Sequence, residues 1–416
     1  MKRSLILLVA FTLLFSAAAS AQTITLNMLE VITSPERTAL LNTLIAEYEA
    51  LNPNIKINLI SPPYEQSDQK ATLMLNTNQP LDIVEVRDYT VKQFVNNNKL
   101  TDLTPYFENW PGAQTLSPVA DASARIVDGI PYLVPHGIFI KALFVRPDVL
   151  EKYGITEMPE TVDELVEMCI QITDPAKNQY GFAWRGRGPT MKYSDLFASV
   201  YVKEVADAEF IYSEDEEFFL HPDYKKGMEA YIRLYKEGTP PDGVNWGFNE
   251  QVNGFVAGTT PFLIQDPDTI PLLNSMLGED NYIVIPLPVG PHGFTVIDYG
   301  FGGWGIPSYS KYKDEAWDFI SWITSAEKNG YFAEHWGPLP VHTTTFEIND
   351  HFKGKHYQAY AYEMANPDVY LLKTYPLASP KWPAWSASHE TDIQSVLLGT
   401  ITLDQLLQKW HDYWTK

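Results

Sequence analysis

The chain of 416 residues carries 52 Asp and Glu against 30 Lys and Arg, a formal net charge of −22 at pH 7. So acidic a surface repels nucleic acid and anionic lipid, which removes both from the candidate partners. Cys169 is the only cysteine, so no internal disulfide can form, and the length suffices for two domains of ordinary size.

Lys2 and Arg3 precede an apolar run over residues 5–15, and Ala19, Ser20 and Ala21 supply small residues before Gln22. These are the three parts of a cleavable export signal, residues 1–21, with cleavage near Ala21. The run is shorter than the roughly 20 apolar residues a membrane span needs, and Gln22 is not the cysteine that lipidation at the cleavage site requires. The sequence therefore predicts export to the periplasm as a soluble chain with no lipid anchor.

After the signal, "TITLNML" alternates as a strand does, and "SPERTALLNTLIAEYEALNP" has helical spacing. Ser34 can cap that helix, Pro35 suits its first turn, and Leu40, Leu41, Leu44, Ile45, Tyr48 and Leu51 make its apolar face. "NIKINLI" is a strand, "DQKATLMLNTN" a helix and "PLDIVEV" a short apolar strand. Alternation of this kind over residues 23–106 implies crossover units on a mostly parallel sheet. The pattern resumes with "KALFVR" as a strand and "MPETVDELVEMCIQIT" as a helix opened by a capping box, Thr161 facing Glu164. Cys169 shares a stripe with Leu165 and Ile172 on that helix, which marks it as a buried, inert thiol. "YGFAWRG" reads as strand into loop, "KYSDLFASVYV" as helix, and "PDYKKGMEAYIRLYKEG" as a helix stopped by Gly238. "TPFLIQD" and "YIVIPLP" are further strands, and residues 387–414 are helical, with a second capping box at Thr402 and Gln405. Two αβ lobes with no flexible tether imply a chain that crosses between them several times.

"DYGFGGWGIP" holds Gly300, Gly302 and Gly305 at the G-x-G-x-x-G spacing of a dinucleotide loop. That chemistry needs a helix starting at the last glycine, so that free N–H groups and the helix dipole meet the pyrophosphate. Pro307 and a further polar stretch intervene, and the next helix is predicted near Lys313, so the motif is not a cofactor site. No P-loop, G-x-S-x-G or H-E-x-x-H motif occurs, and His351 and His356 are expected at the surface. No cofactor and no metal are expected. With 52 carboxylates, a glycosidase-type acid pair stays open as an alternative, although nothing singles one out. Aromatic residues do stand out: 11 Trp, 24 Tyr and 20 Phe, with Trp184, Trp246, Trp304, Trp336, Trp382 and Trp385 beside Gly, Pro or polar residues. An indole in such a loop can cover the C–H face of a sugar ring while neighbouring polar groups bond its hydroxyls.

Five stretches in order carry a family likeness: "YEALNPNIKINLI"; "LMLNTNQPLDIVEV"; "GIPYLVPHGIFIKALFVRPDVLEKYGITEMPETVDELVEM"; "FVAGTTPFLIQD"; and "PLPVGPHGFTVIDYGFGGWGIPSYSKYKDEAWDFISWITSAE". The chain resembles the family 1 extracellular solute-binding proteins of bacterial carbohydrate ABC transporters, the maltose-binding type. It departs from them at Arg146-Pro147 and Pro261-Phe262. "YGFAWRGRGPT" and "FLIQDPDTIP" are most similar to the polyol and sugar-alcohol binders of that family. The resemblance implies an α/β, two-lobed periplasmic-binding-protein fold of type II, with the ligand cleft at a multi-strand hinge. Lobe one would hold 22–134 and 295–336, and lobe two 135–294 and 337–416. It further implies a monomer, not an enzyme, that hands a neutral sugar, oligosaccharide or polyol to permease subunits. An exported carbohydrate-active enzyme, or a binder of glycerol phosphate or polyamine, is the alternative.

Loops beyond strand carboxyl ends face the crevice in open αβ sheets. On that rule lobe one contributes Glu30, Tyr64, Glu65, Arg87 and Asp88 as candidate ligand contacts. Lobe two contributes His136, Trp184, Arg185, Trp246, Asn249 and Asp266, and the returning segment adds Gly303, Trp304 and Trp336.

Overall fold

The computed structural model describes residues 23–188, 191–377 and 379–416. The expected export signal and its cleavage near Ala21 lie outside the described residues. The first unit is built as the sequence pattern implies. Strand β1 (Ile24–Leu29) leads to helix α1 (Pro35–Leu51), β2 (Ile55–Ile60), helix α2 (Tyr64–Asn76), β3 (Ile83–Arg87) and helix α3 (Asp88–Asn96). β1 lies parallel to β2, with Ile24 opposite Ile55 and Leu29 opposite Ile60, and parallel to β3 on its other side. Ser34 caps α1 by accepting from the Arg37 N–H, and Leu41, Leu44, Ile45 and Tyr48 bury its face. Leu51, expected on that face, is instead 64% exposed because it ends the helix at the Asn52 cap.

Seven more strands follow: β4 (Val134–Phe139), β5 (Ala142–Val145), β6 (Phe262–Gln265), β7 (Ile283–Ile285), β8 (Thr295–Asp298), β9 (Gly300–Gly305) and β10 (Tyr370–Lys373). One sheet has the order β2-β1-β3-β9-β4, a second β6-β5-β7, and a third pairs β10 with β8. β9 runs antiparallel to both its neighbours. The segment "YGFAWRG" forms no strand of its own and touches β6 by a single bridge, Phe182 to Phe262. The helices Val162–Ile172 and Pro222–Gly238 sit where expected, the stretch 387–414 expected to be helical is divided into Trp382–Leu397 and Leu403–Thr415, and both capping boxes form. Cys169 is buried, and burial raises its thiol pKa well above the usual range.

Strand pairing ties distant stretches of the chain together. β4 stays hydrogen-bonded to β9 as far as Phe139, and β8 pairs with β10. Leu339 bridges to Ile138 and the Val341 carbonyl accepts from the Ser117 N–H at 2.8 Å, which packs the stretch after Trp336 against β4 and the segment before it.

The glycines of "DYGFGGWGIP" form the strand β9, and the next long helix starts at Lys313. A Cβ on Gly302 would lie 2.8 Å from the His136 ring, and one on Gly303 would lie 2.4 Å from Leu133 Cδ1 and 2.7 Å from the Val134 carbonyl oxygen. The motif is a packing requirement of a central strand. Gly303→Ala is expected to lower unfolding free energy by about 1–3 kcal/mol through overpacking. In the same urea titration Gly300→Ala, whose Cβ would meet nothing closer than 3.6 Å, should stay close to wild type.

Candidate functional site

The carboxyl ends of the parallel strands β1, β2 and β3 lie side by side, and α2 and α3 start just beyond them. Tyr64 opens α2, Arg87 closes β3, and Asp88 and Tyr89 start α3. Arg87 is buried beneath two exposed rings, Tyr64 at 50% and Tyr89 at 45% exposure. Its Nη2 donates to the Val31 carbonyl at 2.6 Å and its Nη1 to the Tyr64 hydroxyl at 3.1 Å. Nε lies 3.4 Å from Asp68 Oδ1, and the Tyr89 hydroxyl donates to the other oxygen of Asp68 at 2.8 Å. Asp88 is half-buried and accepts from the Tyr89 N–H, with its second oxygen facing the start of β9.

Beside these strand ends lies a buried ion network. Glu85 accepts from Arg37 Nη2 at 2.5 Å and from the Val31 and Ile32 N–H groups at 2.6 and 2.9 Å, and it bonds His136 Nε2 at 2.6 Å. Arg37 Nη1 reaches Glu30 at 3.1 Å. Burial works to raise the Glu85 pKa, but Arg37, His136 and the backbone donor together hold it well below the usual carboxylate range. For Glu30 burial outweighs its Thr38 and Arg37 partners, and the pKa is raised. Burial also lowers the His136 pKa against the pull of Glu85. The ladder slips between Pro135 and Gly137, and such a bulge re-aims the extra residue. Here that residue is His136, turned toward Glu85.

Lys141 Nζ lies 2.7 Å from Asp298 and 3.8 Å from Asp266. Burial and the Asp266 carboxylate push Asp268 up to about 7. A Cβ on Gly337 would sit 2.6 Å from Asp268 Cα, so the Asp266–Asp268 loop packs directly on Gly337. Trp336 is half-buried there, with the Arg37 guanidinium 4.3 Å from its ring and Phe139 edge-on at 5.6 Å.

The geometry corrects several sequence-derived candidates. Trp304 is 1% exposed, lying between Glu85 and Val134 in the sheet with the His136 ring 5.1 Å away, so it offers no face to a solute. Glu30 and His136 are buried in the same network, and Gly303 is buried against Leu133 and Val134. Trp184 is core, packed on Tyr231 and Tyr235 at 4.6 and 5.1 Å. Trp246 lines a cavity of about 360 Å³ with Asn178, Tyr180 and Thr259. Thr259 precedes β6 whereas Asp266 follows it, so this cavity is at the far end of the strand from Asp266. Asn249 is exposed in the first turn of the helix Phe248–Val256, next to that same Trp246 segment. The side chain of Glu65 lies outside the described set. His356, expected at the surface, is buried and stacked on Tyr282 at 4.1 Å.

Of the sequence-derived candidates, Tyr64 and Arg87 are in contact, with Asp88 next in the chain, and Gly337, the neighbour of Trp336, packs on the loop that carries Asp266. Arg185 is half-buried on lobe two, its Nε donating to the Arg187 carbonyl at 3.1 Å. Tyr89, Asp68, Lys141, Asp268 and Asp298 are residues that sequence reasoning missed. Tyr89 and Asp268 were one and two positions from candidates, so the strand-end rule extended slightly would have found them. Lys141 and Asp298 carry no local signal, because their pairing joins distant parts of the chain. Among the described residues, no group of three or more His, Cys, Asp or Glu is placed to hold a metal, and no helix is long and apolar enough to cross a membrane.

A five-stranded and a three-stranded sheet, each within an αβ unit, fit a two-lobed solute-binding fold of type II. The chain belongs to the bacterial extracellular solute-binding proteins, whose family model matches residues 33–330. Among relatives, the erythritol/L-threitol-binding protein of Mycolicibacterium smegmatis is 24% identical over 52% of this chain and 46% of its own length. The sugar-binding protein MalE of Xanthomonas citri has a similar structure, with a TM-score of 0.78 at 19% identity over 93% of this chain and 95% of its own. An ABC transporter solute-binding protein of Agrobacterium radiobacter, solved with ribitol, gives 0.76 at 20% identity over 95% and 98%.

The buried network makes stability depend on pH in a definite direction. The unfolded chain takes up protons at the ordinary values of 6.5 for His and 4.5 for Glu, whereas folded His136 and Glu85 take them up at lower pH. Their stabilisation is complete above those values and is lost as the pH falls through the folded ones. Glu85→Gln should cost about 3–5 kcal/mol at pH 7, because it leaves Arg37 underpaired. It should also flatten the acid limb of a stability profile measured by denaturant titration from pH 7 to 3; an unaltered limb would contradict the assignment.

Proposed function

We propose that this chain is the substrate-binding component of an ABC importer. It captures a neutral carbohydrate, a sugar, oligosaccharide or polyol, outside the inner membrane and delivers it to the permease. The observation that carries the reading is a pair of half-exposed tyrosine rings at the strand ends of a gap whose buried cations are already neutralised. Arg87 faces Asp68, and Lys141 faces Asp298 and Asp266. Among the described residues, Arg87 and Lys141 at the gap each stand beside a carboxylate, which disfavours capture of a phosphate or carboxylate there, while ring faces and polar oxygens suit hydroxyl-rich solutes. Relatives described as binding erythritol or threitol, sugar and ribitol support the same class.

The chain acts as an exported periplasmic monomer without catalysis. Ligand touches both lobes only when the cleft shuts, so binding energy is what favours the closed form. The half-buried Trp336 at the hinge, together with Asp88, Asp266 and Arg185, completes the contact set. After co-purified solute is stripped by partial unfolding, the protein is to be screened against maltose, xylobiose, glucose, mannitol, ribitol and erythritol. A saturating ligand at roughly a hundredfold over Kd should stabilise it by about 3 kcal/mol, read as a melting shift, and should perturb Trp336 fluorescence. A panel with neither response would remove the carbohydrate reading, and hydrolysis of a labelled glycoside would replace it with an enzyme.

A further inference from the structure

Arg87 stands where an incoming solute would look for a cation, yet its guanidinium is occupied from within. Val31 and Tyr64 accept from Nη2 and Nη1, Asp68 Oδ1 stands 3.4 Å from Nε as an ion pair without a hydrogen bond, and the residue is 8% exposed. Asp68 in turn holds the Tyr89 hydroxyl at 2.8 Å. Both phenol oxygens are therefore tied to one ion pair, while their rings remain about half exposed. The guanidinium carbon lies 4.8 Å from the Tyr64 ring centre and 5.7 Å from that of Tyr89, close enough for cation–π attraction to both. An exposed tyrosine ordinarily loses rotamer freedom when a ligand settles on it, and a ring already anchored at its hydroxyl avoids that loss.

We propose that Arg87 and Asp68 form a positioning pair that presents Tyr64 and Tyr89 as fixed ring faces, and that the cleft on this account takes a cyclic saccharide in preference to an open-chain alditol. The inference rests on the carbohydrate reading. A pyranose or furanose carries a rigid C–H face that covers an aromatic ring without further ordering. An alditol of the same carbon count must freeze each bond of its chain to present one. Arg87 itself gives no hydrogen bond to the ligand. Lysine cannot replace it, because a single ammonium cannot reach a carbonyl, a phenol and a carboxylate in the fork geometry of a guanidinium.

Isothermal titration with matched pairs tests this: glucose against glucitol, xylose against xylitol, and maltose against maltitol. For the best-bound pair the cyclic member should bind at least tenfold tighter. Tyr89→Phe removes the Tyr89 tether, Tyr64→Phe the Tyr64 tether, and the double variant both while keeping both rings; the double variant should reduce the ratio of the two affinities at least threefold, a quantity that uniform loosening of the protein leaves unchanged. Arg87→Met should weaken binding of the cyclic member about tenfold in the wild-type background and less than twofold when Tyr64→Ala and Tyr89→Ala are already present. If Arg87→Met does not fold, Arg87→Lys is read in the same cycle. A full loss from Arg87→Met in the tyrosine-free background would mean that Arg87 touches the ligand, and tighter binding of the alditols would overturn the preference while leaving the carbohydrate reading intact. A wild-type protein that binds no member of the set overturns both.

Discussion

One buried carboxylate organises the hinge. Glu85 sits at the centre of the larger sheet and receives Arg37 from α1, His136 from the bulge of β4, and two backbone N–H groups from the end of β1. A carboxylate without those donors would be intolerable at zero exposure. Each donor must therefore be in place at once, and the first helix, the first strand and the first crossing strand are locked together by this requirement. The aromatic rings follow from it. Trp304 fills the space beside His136, and Trp336 lies over the Arg37 guanidinium, which is partly desolvated beneath it.

From that floor the cleft inherits its character. The wall residues stand on strand ends held from below, so the tyrosines project from a rigid base. Charges near the gap are paired inside the protein, and the pairing doubles as mechanics at the hinge. Lys141 lies between β4 and β5 and Asp298 ends β8, so their 2.7 Å contact ties these strands together. A motion that keeps this pair intact is a rotation with these strands as its axis, which suits closure over a solute.

Much of the local architecture was legible in the chain. Ser34, Thr161 and Thr402 announced helix starts because a side-chain oxygen answering a backbone N–H two or three residues on is a short-range event. The strand-end rule pointed to Arg87 and Asp88 through the parallel strands of the first sheet, whereas Asp266 follows a strand of an antiparallel sheet, where that rule has no topological basis. The same logic misjudged Trp184 and Trp304. A tryptophan among glycines looks like a loop residue, whereas Gly302 and Gly303 are small so that His136, Leu133 and Val134 can approach β9.

Most of the secondary structure, its αβ alternation and the acidic, single-cysteine chemistry of the chain were determined by the sequence itself, because they depend on periodicity, capping and composition within a few turns; the two-lobed fold came through the family resemblance. Tertiary structure alone decided which tryptophans are walls and which are core, and which cations remain available. Each of those depends on partners far apart in the chain, such as Lys141 and Asp298, 157 residues apart. No local pattern records a pairing that only the register of the closed sheet brings within hydrogen-bond distance.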